Sequence, residues 1–142
     1  MCAIIQVDEV GSMHLESNIE LEDTVANIYK KITDIHNTSW RSDLKVVKGI
    51  DDNNFIEYSK KDYPTFYTVL KTVKNKNYEL EFTNNKVEGH IAYTLKKEDT
   101  KTNLSIIVDL TLVDAKIKMI AKQKLKKQWS KFVEDLTRGI NG

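Results

Sequence analysis

Residues 104–137 read LSIIVDLTLVDAKIKMIAKQKLKKQWSKFVEDLT, and their hydrophobic period changes part-way along. Leu104, Ile106, Val108, Leu110 and Leu112 alternate with Ser105, Ile107, Asp109, Thr111 and Val113, the period of two that a strand requires. From Ala115 to Thr137 the spacing becomes helical: Ile117, Ala121, Leu125, Trp129, Phe132 and Leu136 form one apolar stripe. Lys116, Lys118, Lys122, Lys124, Lys126, Lys127 and Lys131 crowd the remaining surface. At about 1.5 Å per residue such a helix reaches roughly 30 Å, enough to lie across a whole sheet.

Upstream of Leu104 the alternation repeats. Val87, Gly89, Ile91, Tyr93 and Leu95 share one face, with Glu88, His90, Ala92, Thr94 and Lys96 on the other. Tyr78, Leu80 and Phe82 oppose Glu79, Glu81 and Thr83. Strands are also predicted over 44–50, 55–60 and 65–73, closed by the turn clusters Asp51-Asp52-Asn53-Asn54, Lys61-Asp62-Tyr63-Pro64 and Lys74-Asn75-Lys76-Asn77. Met13 to Glu22 alternates in part and reads as a first strand. Asp23-Thr24 supplies an N-cap signal, and Val25, Ile28, Tyr29 and Ile32 predict a helix over about 24–34. Residues 3–8 read as additional strand-like structure or an extension, with Gly11-Ser12 as the break. Asn37-Thr38-Ser39 reads as a turn, followed by Trp40-Arg41-Ser42-Asp43 in a short helical turn or loop.

Short polar turns favour antiparallel hairpins, because parallel crossovers need a dozen residues or more. The expectation is therefore an α+β chain: a curved antiparallel sheet of about six or seven strands around a long C-terminal helix, with a short helix or helices after the first strand. There is no internal repeat and no linker composition, so 1–142 reads as a single domain, with 1–12 outside its regular pattern. At 142 residues and 40% hydrophobic, the chain can bury a sizeable core.

The stretch Val25-Ala26-Asn27-Ile28-Tyr29-Lys30-Lys31-Ile32-Thr33-Asp34 is similar to the Val-x-x-Val-Trp-x-x-Leu-Thr-Asp helix of the START-like (SRPBCC) superfamily, with Ile28-Tyr29 in the Val-Trp place. Trp40 falls where that family often has a tryptophan in the following turn. Asn54-Phe55-Ile56-Glu57-Tyr58 and Thr102-Asn103-Leu104-Ser105-Ile106 match its strand starts loosely. The resemblance covers about residues 13–138 and implies the helix-grip fold shared by polyketide cyclases and lipid-transfer proteins. It says little of function, because enzymes, carriers, hormone receptors and chaperone partners use that scaffold. One departure is Glu98-Asp99-Thr100-Lys101, where a cyclase-like loop would carry glycine.

Several chemistries are not supported. Lys and Arg number 22 against 21 acids, so no global field draws the chain to nucleic acid. Trp129 and Phe132 lie on the apolar stripe instead of among the lysines, unlike a stacking platform for single strands. No stretch approaches the roughly 18 apolar residues of a membrane span. The first residues carry no basic n-region, so no secretory signal is expected, and the lone Cys2 fits a reducing, cytoplasmic setting. His14, His36 and His90 are scattered, no metal-ligand spacing is present, and neither a P-loop nor a dinucleotide signature suggests a cofactor. His36 reads as a helix C-terminal cation and His90 as a residue of a solvated face.

The candidate site residues all concern the space between sheet and long helix. Glu57 sits on a strand with apolar residues on both faces, so parity leaves its direction open. Inside an apolar pocket it would serve as acid, base or ligand anchor; outside, as the partner of a lysine. Arg41 can bind a carboxylate or phosphate at the pocket mouth, or fix its loop through Asp43. Trp40, Tyr58, Tyr67, Tyr93 and Trp129 are candidates to line the cavity, or simply to pack as core. The leading expectation is non-enzymatic binding of a lipid-like or aromatic small molecule. A cyclase- or hydrolase-type reaction using Glu57, and a protein-interaction module using the Lys-rich helix, are the alternatives.

Overall fold

The computed structural model describes residues 2–7, 12–113 and 118–141, with side chains over 12–113 and 123–139. In chain order the elements are β1 (Cys2–Val7), β2 (Ser12–Leu21), α1 (Val25–Thr33), β3 (Leu44–Gly49), β4 (Asn54–Ser59), β5 (Pro64–Val73), β6 (Asn77–Thr83), β7 (Val87–Glu98), β8 (Lys101–Leu112) and α2 (Lys118–Asn141). The strands form one curved sheet in the order β1-β2-β8-β7-β6-β5-β4-β3, antiparallel at every seam.

Two expectations change and a third narrows to one of its alternatives. The sheet has eight strands, not six or seven, because β1 pairs with β2 from Cys2↔Asn18 to Val7↔Met13. Only α1 lies between β2 and β3; residues 34–43 are turns and bends. α2 runs past the expected stop at Thr137 to Asn141. Its expected start at Ala115, and Ile117 of its stripe, lie outside the described residues.

Local chemistry accounts for the element ends. Thr24 caps α1, its Oγ1 accepting the Asn27 N–H at 3.2 Å. Asp62, Asn75 and Asp99 occupy the left-handed region at the turns into β5, β6 and β8, a conformation that Asn and Asp tolerate better than most residues. Asp99 thus takes the backbone shape for which a related loop would use glycine. Gly89 is required for another reason. A Cβ there would lie 2.7 Å from Leu110 Cβ and closer still to the Asp109 carbonyl, so β7 can approach β8 only without a side chain.

One face of the sheet carries the core. Met13, Leu15, Ile19 and Leu21 of β2, the alternating Leu104 to Leu112 of β8, and Ile91, Tyr93 and Leu95 of β7 are all buried. Ile28 and Tyr29 of α1 and Phe132, Val133 and Leu136 of α2 close over them. Tyr29 Oη donates to the Asn77 carbonyl at 3.1 Å, and Thr102 Oγ1 to the Asp23 carbonyl at 2.8 Å. Lys31 Nζ donates to the Gly139 carbonyl at 3.2 Å, tying α1 to the end of α2. Earlier along α2, Leu125 and Trp129 are only half-buried against the core.

Candidate functional site

The register answers the question left open for Glu57. Phe55 lies opposite Tyr67 in the β4–β5 ladder and is buried in the core, so Glu57, two residues on, shares its inward face. The Glu57 side chain is 13% exposed and faces Arg41, 14% exposed. Arg41 Nη1 donates to Glu57 Oε2 at 2.9 Å, and Nη2 approaches Oε1 at 3.5 Å. The other side of the guanidinium engages Asp43: Nε donates to Oδ1 at 3.1 Å and Nη2 to Oδ2 at 2.7 Å. One cation is thus clamped between two carboxylates.

Aromatic rings enclose this cluster. The Arg41 guanidinium lies 5.0 Å from the centre of the Phe132 ring and 5.9 Å from that of Trp40. Phe132 makes edge contacts with Trp40 and Trp129, both at 5.5 Å between ring centres, and Tyr93 lies at 6.3 Å. On the sheet, Phe55 and Tyr67 stack at 5.0 Å and Tyr67 meets Phe82 at 6.0 Å. The electrostatics follow from this enclosure. Burial pushes the Tyr67 phenol well above its usual value, and the Glu57 carboxylate beside it adds to the shift. Burial likewise raises Tyr93 and Tyr78. Burial alone would lower Arg41, but Glu57 and Asp43 outweigh it and hold the guanidinium charged.

The structure therefore brings Trp40, Arg41, Glu57, Tyr67, Tyr93 and Trp129 to one inner corner under α2. Tyr58 is elsewhere. It pairs with Val46 and Pro64 on the outward face of β4, with Lys48 Nζ 5.4 Å over its ring. The period of two that turns Glu57 inward turns its neighbour outward.

One residue of this corner escaped sequence reasoning. Asp135 has no exposed surface. Its Oδ2 accepts the Ser42 N–H at 2.9 Å and the Ser42 hydroxyl at 2.8 Å, while Arg138 donates to Oδ1 at 2.9 Å. Burial works against its charge, yet these donors hold the carboxyl below its ordinary value. α2 thereby pins the loop that carries Arg41. The available signal was an acid inside the apolar stripe, between Phe132 and Leu136, where a helix normally shows only core residues.

The outward face has different chemistry. His14, Asp109, His90, Glu81 and Thr68 lie side by side across β2, β8, β7, β6 and β5, along a cleft of about 950 Å³. His14 Nδ1 bonds Asp109, and its Nε2 lies 3.0 Å from Glu16. His90 Nε2 lies 3.5 Å from Glu79, fitting the solvated face expected of it. Among the described residues no group of three or more His, Cys, Asp or Glu is arranged to hold a metal ion. No helix there is long and apolar enough to cross a membrane. Lys124, Lys126, Lys127 and Lys131 of α2 are exposed.

Comparison with solved structures gives the fold a relation. A START superfamily protein from Mycobacterium smegmatis superposes with a TM-score of 0.76 over 90% of this chain and 97% of its own, at 9% identity. The fold is START-like. A conserved protein from Geobacillus kaustophilus superposes at a TM-score of 0.74, with 16% identity over 90% of this chain and 95% of its own. CalU16 from Micromonospora echinospora aligns at 0.63, with 10% identity over 96% and 84%. No family model matches the chain, and no curated protein matches its sequence. The likeness thus concerns the START-like backbone, and the side chains must speak for the site.

Proposed function

We propose that this protein binds a hydrophobic small molecule, aromatic or lipid-like, between the inner sheet face and α2, without catalysing a reaction. The observation that carries this reading is the aromatic corner itself. Phe55, Tyr67, Phe82, Tyr93, Phe132, Trp40 and Trp129 surround one buried polar cluster, the combination by which apolar sites bind and orient a ligand. The packing gradient along α2 supports the same reading: Phe132 and Leu136 are buried, while Trp129 and Leu125 are half-buried, so the helix holds the sheet less tightly toward its N-terminal side. Affinity would come from burial, at roughly 25 cal/mol per Å² of apolar surface before ordering costs. Glu57 is engaged by Arg41 through both oxygens, an arrangement better suited to orienting than to proton transfer.

The chain has two tryptophans, and Trp40→Phe leaves Trp129 as the sole reporter on α2. Sterols, long-chain alcohols and planar aromatics would be titrated into the wild-type protein by native mass spectrometry and into this variant by Trp fluorescence. A one-to-one complex that shifts Trp129 emission is expected. A panel that neither forms a complex nor perturbs Trp129 would remove the reading.

A further inference from the structure

Charge is divided between the two sides of this molecule. Its 22 Lys and Arg nearly balance 21 Asp and Glu, yet neither side is neutral. Around the outer cleft, Glu16, Glu79, Glu81, Glu88 and Asp109 all occupy outward positions of β2, β6, β7 and β8. The basic groups among them are engaged. His14 is held by Asp109 and Glu16, and His90 lies beside Glu79. Lys71 Nζ lies 3.9 Å from Glu79, and Lys86 Nζ sits 5.0 Å over the Tyr63 ring. Glu81 and Glu88 are exposed and have no ionic partner among the described residues. α2 covers the opposite face of the sheet. Its exposed Lys124, Lys126 and Lys127 likewise have no acidic partner among the described residues, and Lys131 reaches Glu134 only at 4.0 Å.

We infer that the acidic outer face of the sheet docks the lysine face of α2 from a second copy of this chain, so that copies stack head to tail. The spacing of the two surfaces agrees. Glu81, His90 and Asp109 share one row across β6, β7 and β8, which sets the two acids two strand spacings apart, about 10 Å. Lys124, Lys127 and Lys131 recur at i, i+3 and i+7 on one face of α2, and the outer two lie about 10 Å apart along its axis. Phe66, 46% exposed in the same cleft, offers an apolar floor to the lysine methylenes. A net charge of only +1 adds little repulsion between copies. Because the two surfaces point in opposite directions, one pair of copies cannot make both contacts at once. The contact is heterologous, and each added copy presents the same two surfaces again. It is independent of any ligand held inside the fold.

The test is the average mass of the full-length protein, read by light scattering and sedimentation velocity. At about 10 mM salt, where charges act over roughly 30 Å, that mass should climb past about twice the monomer's as protein concentration rises. At about 1 M salt, where the range falls to roughly 3 Å, it should return to the monomer's. Glu81→Lys with Glu88→Lys, or Lys124→Glu with Lys127→Glu, should each give a monomer in low salt, with circular dichroism confirming the fold. All four substitutions together reverse both surfaces, keep the net charge, and should restore the growing series. Growth that persists in high salt, or that stops at a closed dimer, would overturn the inference. So would undiminished growth in either paired variant, or a folded quadruple variant that stays monomeric. A wild type still monomeric at about 1 mM protein in low salt would overturn it too. Spermine bound by that monomer, and lost in Glu81→Lys with Glu88→Lys, would then give the cleft to a foreign cation.

Discussion

The two faces of the sheet each carry a basic side chain between two carboxylates, and their surroundings make them opposites. Arg41 lies between Asp43 and Glu57 in an aromatic corner, with 14% of its side chain exposed. His14 lies between Asp109 and Glu16 on the outer face, where the two acids are 60% and 41% exposed. The inner set has lost most of its water, so each charge there depends on its partner. The outer set keeps its hydration, and its bonds replace contacts with water of nearly equal worth. The lesson is that the same motif organises an interior in one place and decorates a surface in the other.

The strongest way to break this contrast is Arg41→Ala, which strands Glu57 in the corner. Chemical denaturation should show a loss of about 3 kcal/mol; a loss below about 1 kcal/mol would mean that water reaches Glu57 freely. Removing both partners sharpens the point. Arg41→Met combined with Glu57→Leu should recover most of that loss, because the only charge left without its partner, Asp43, is 43% exposed and keeps its water. A double variant no more stable than the single one would show that packing, not charge, is at stake.

Next in size is Asp135→Asn. It keeps the shape but weakens two bonds from Ser42 and one from Arg138, at an expected cost of about 1.5 kcal/mol. Its diagnostic is a changed environment of Trp40, read by fluorescence. Unaltered emission would detach the loop from α2.

The smallest effect belongs to the outer face. Hydrogen bonds donated to Asp109 and then Glu16 raise His14 above its ordinary 6.5. A raised histidine stabilises fully below its unfolded value and loses that contribution as pH climbs through the folded one. His14→Gln should therefore cost less than about 1 kcal/mol, most visibly below pH 6.5, and approach wild type above the folded value. A difference growing with pH would reverse the assignment.

Much of the architecture was legible because periodicity is a local property. Ten residues suffice to show that Leu104 to Leu112 alternate, and Thr24 announces its helix within one turn. The site was legible only in part. Trp40, Arg41, Glu57, Tyr67, Tyr93 and Trp129 do share a corner, but the strand of Glu57 has apolar residues on both faces, so no pattern within it could separate inward Glu57 from outward Tyr58. Asp135 and Ser42 are 93 positions apart, and His14 and Asp109 are 95. Such pairs exist only once strand order and register are set, and neither is written in any one window. The eighth strand was hard to read for a related reason: an edge strand needs a partner on one side only, which weakens its pattern.

The position of β2 has a kinetic consequence. From β3 to β8 every neighbouring pair is a hairpin, able to zip from its own turn, whereas β2 docks on β8 from the far end of the chain; the Thr102 hydroxyl meets the Asp23 carbonyl across 79 positions. Closing so wide a loop costs entropy before any contact repays it. The β2–β8 seam is therefore expected to close last, and slow amide exchange along β8 facing β2 should appear only after the β3–β7 ladders are already protected.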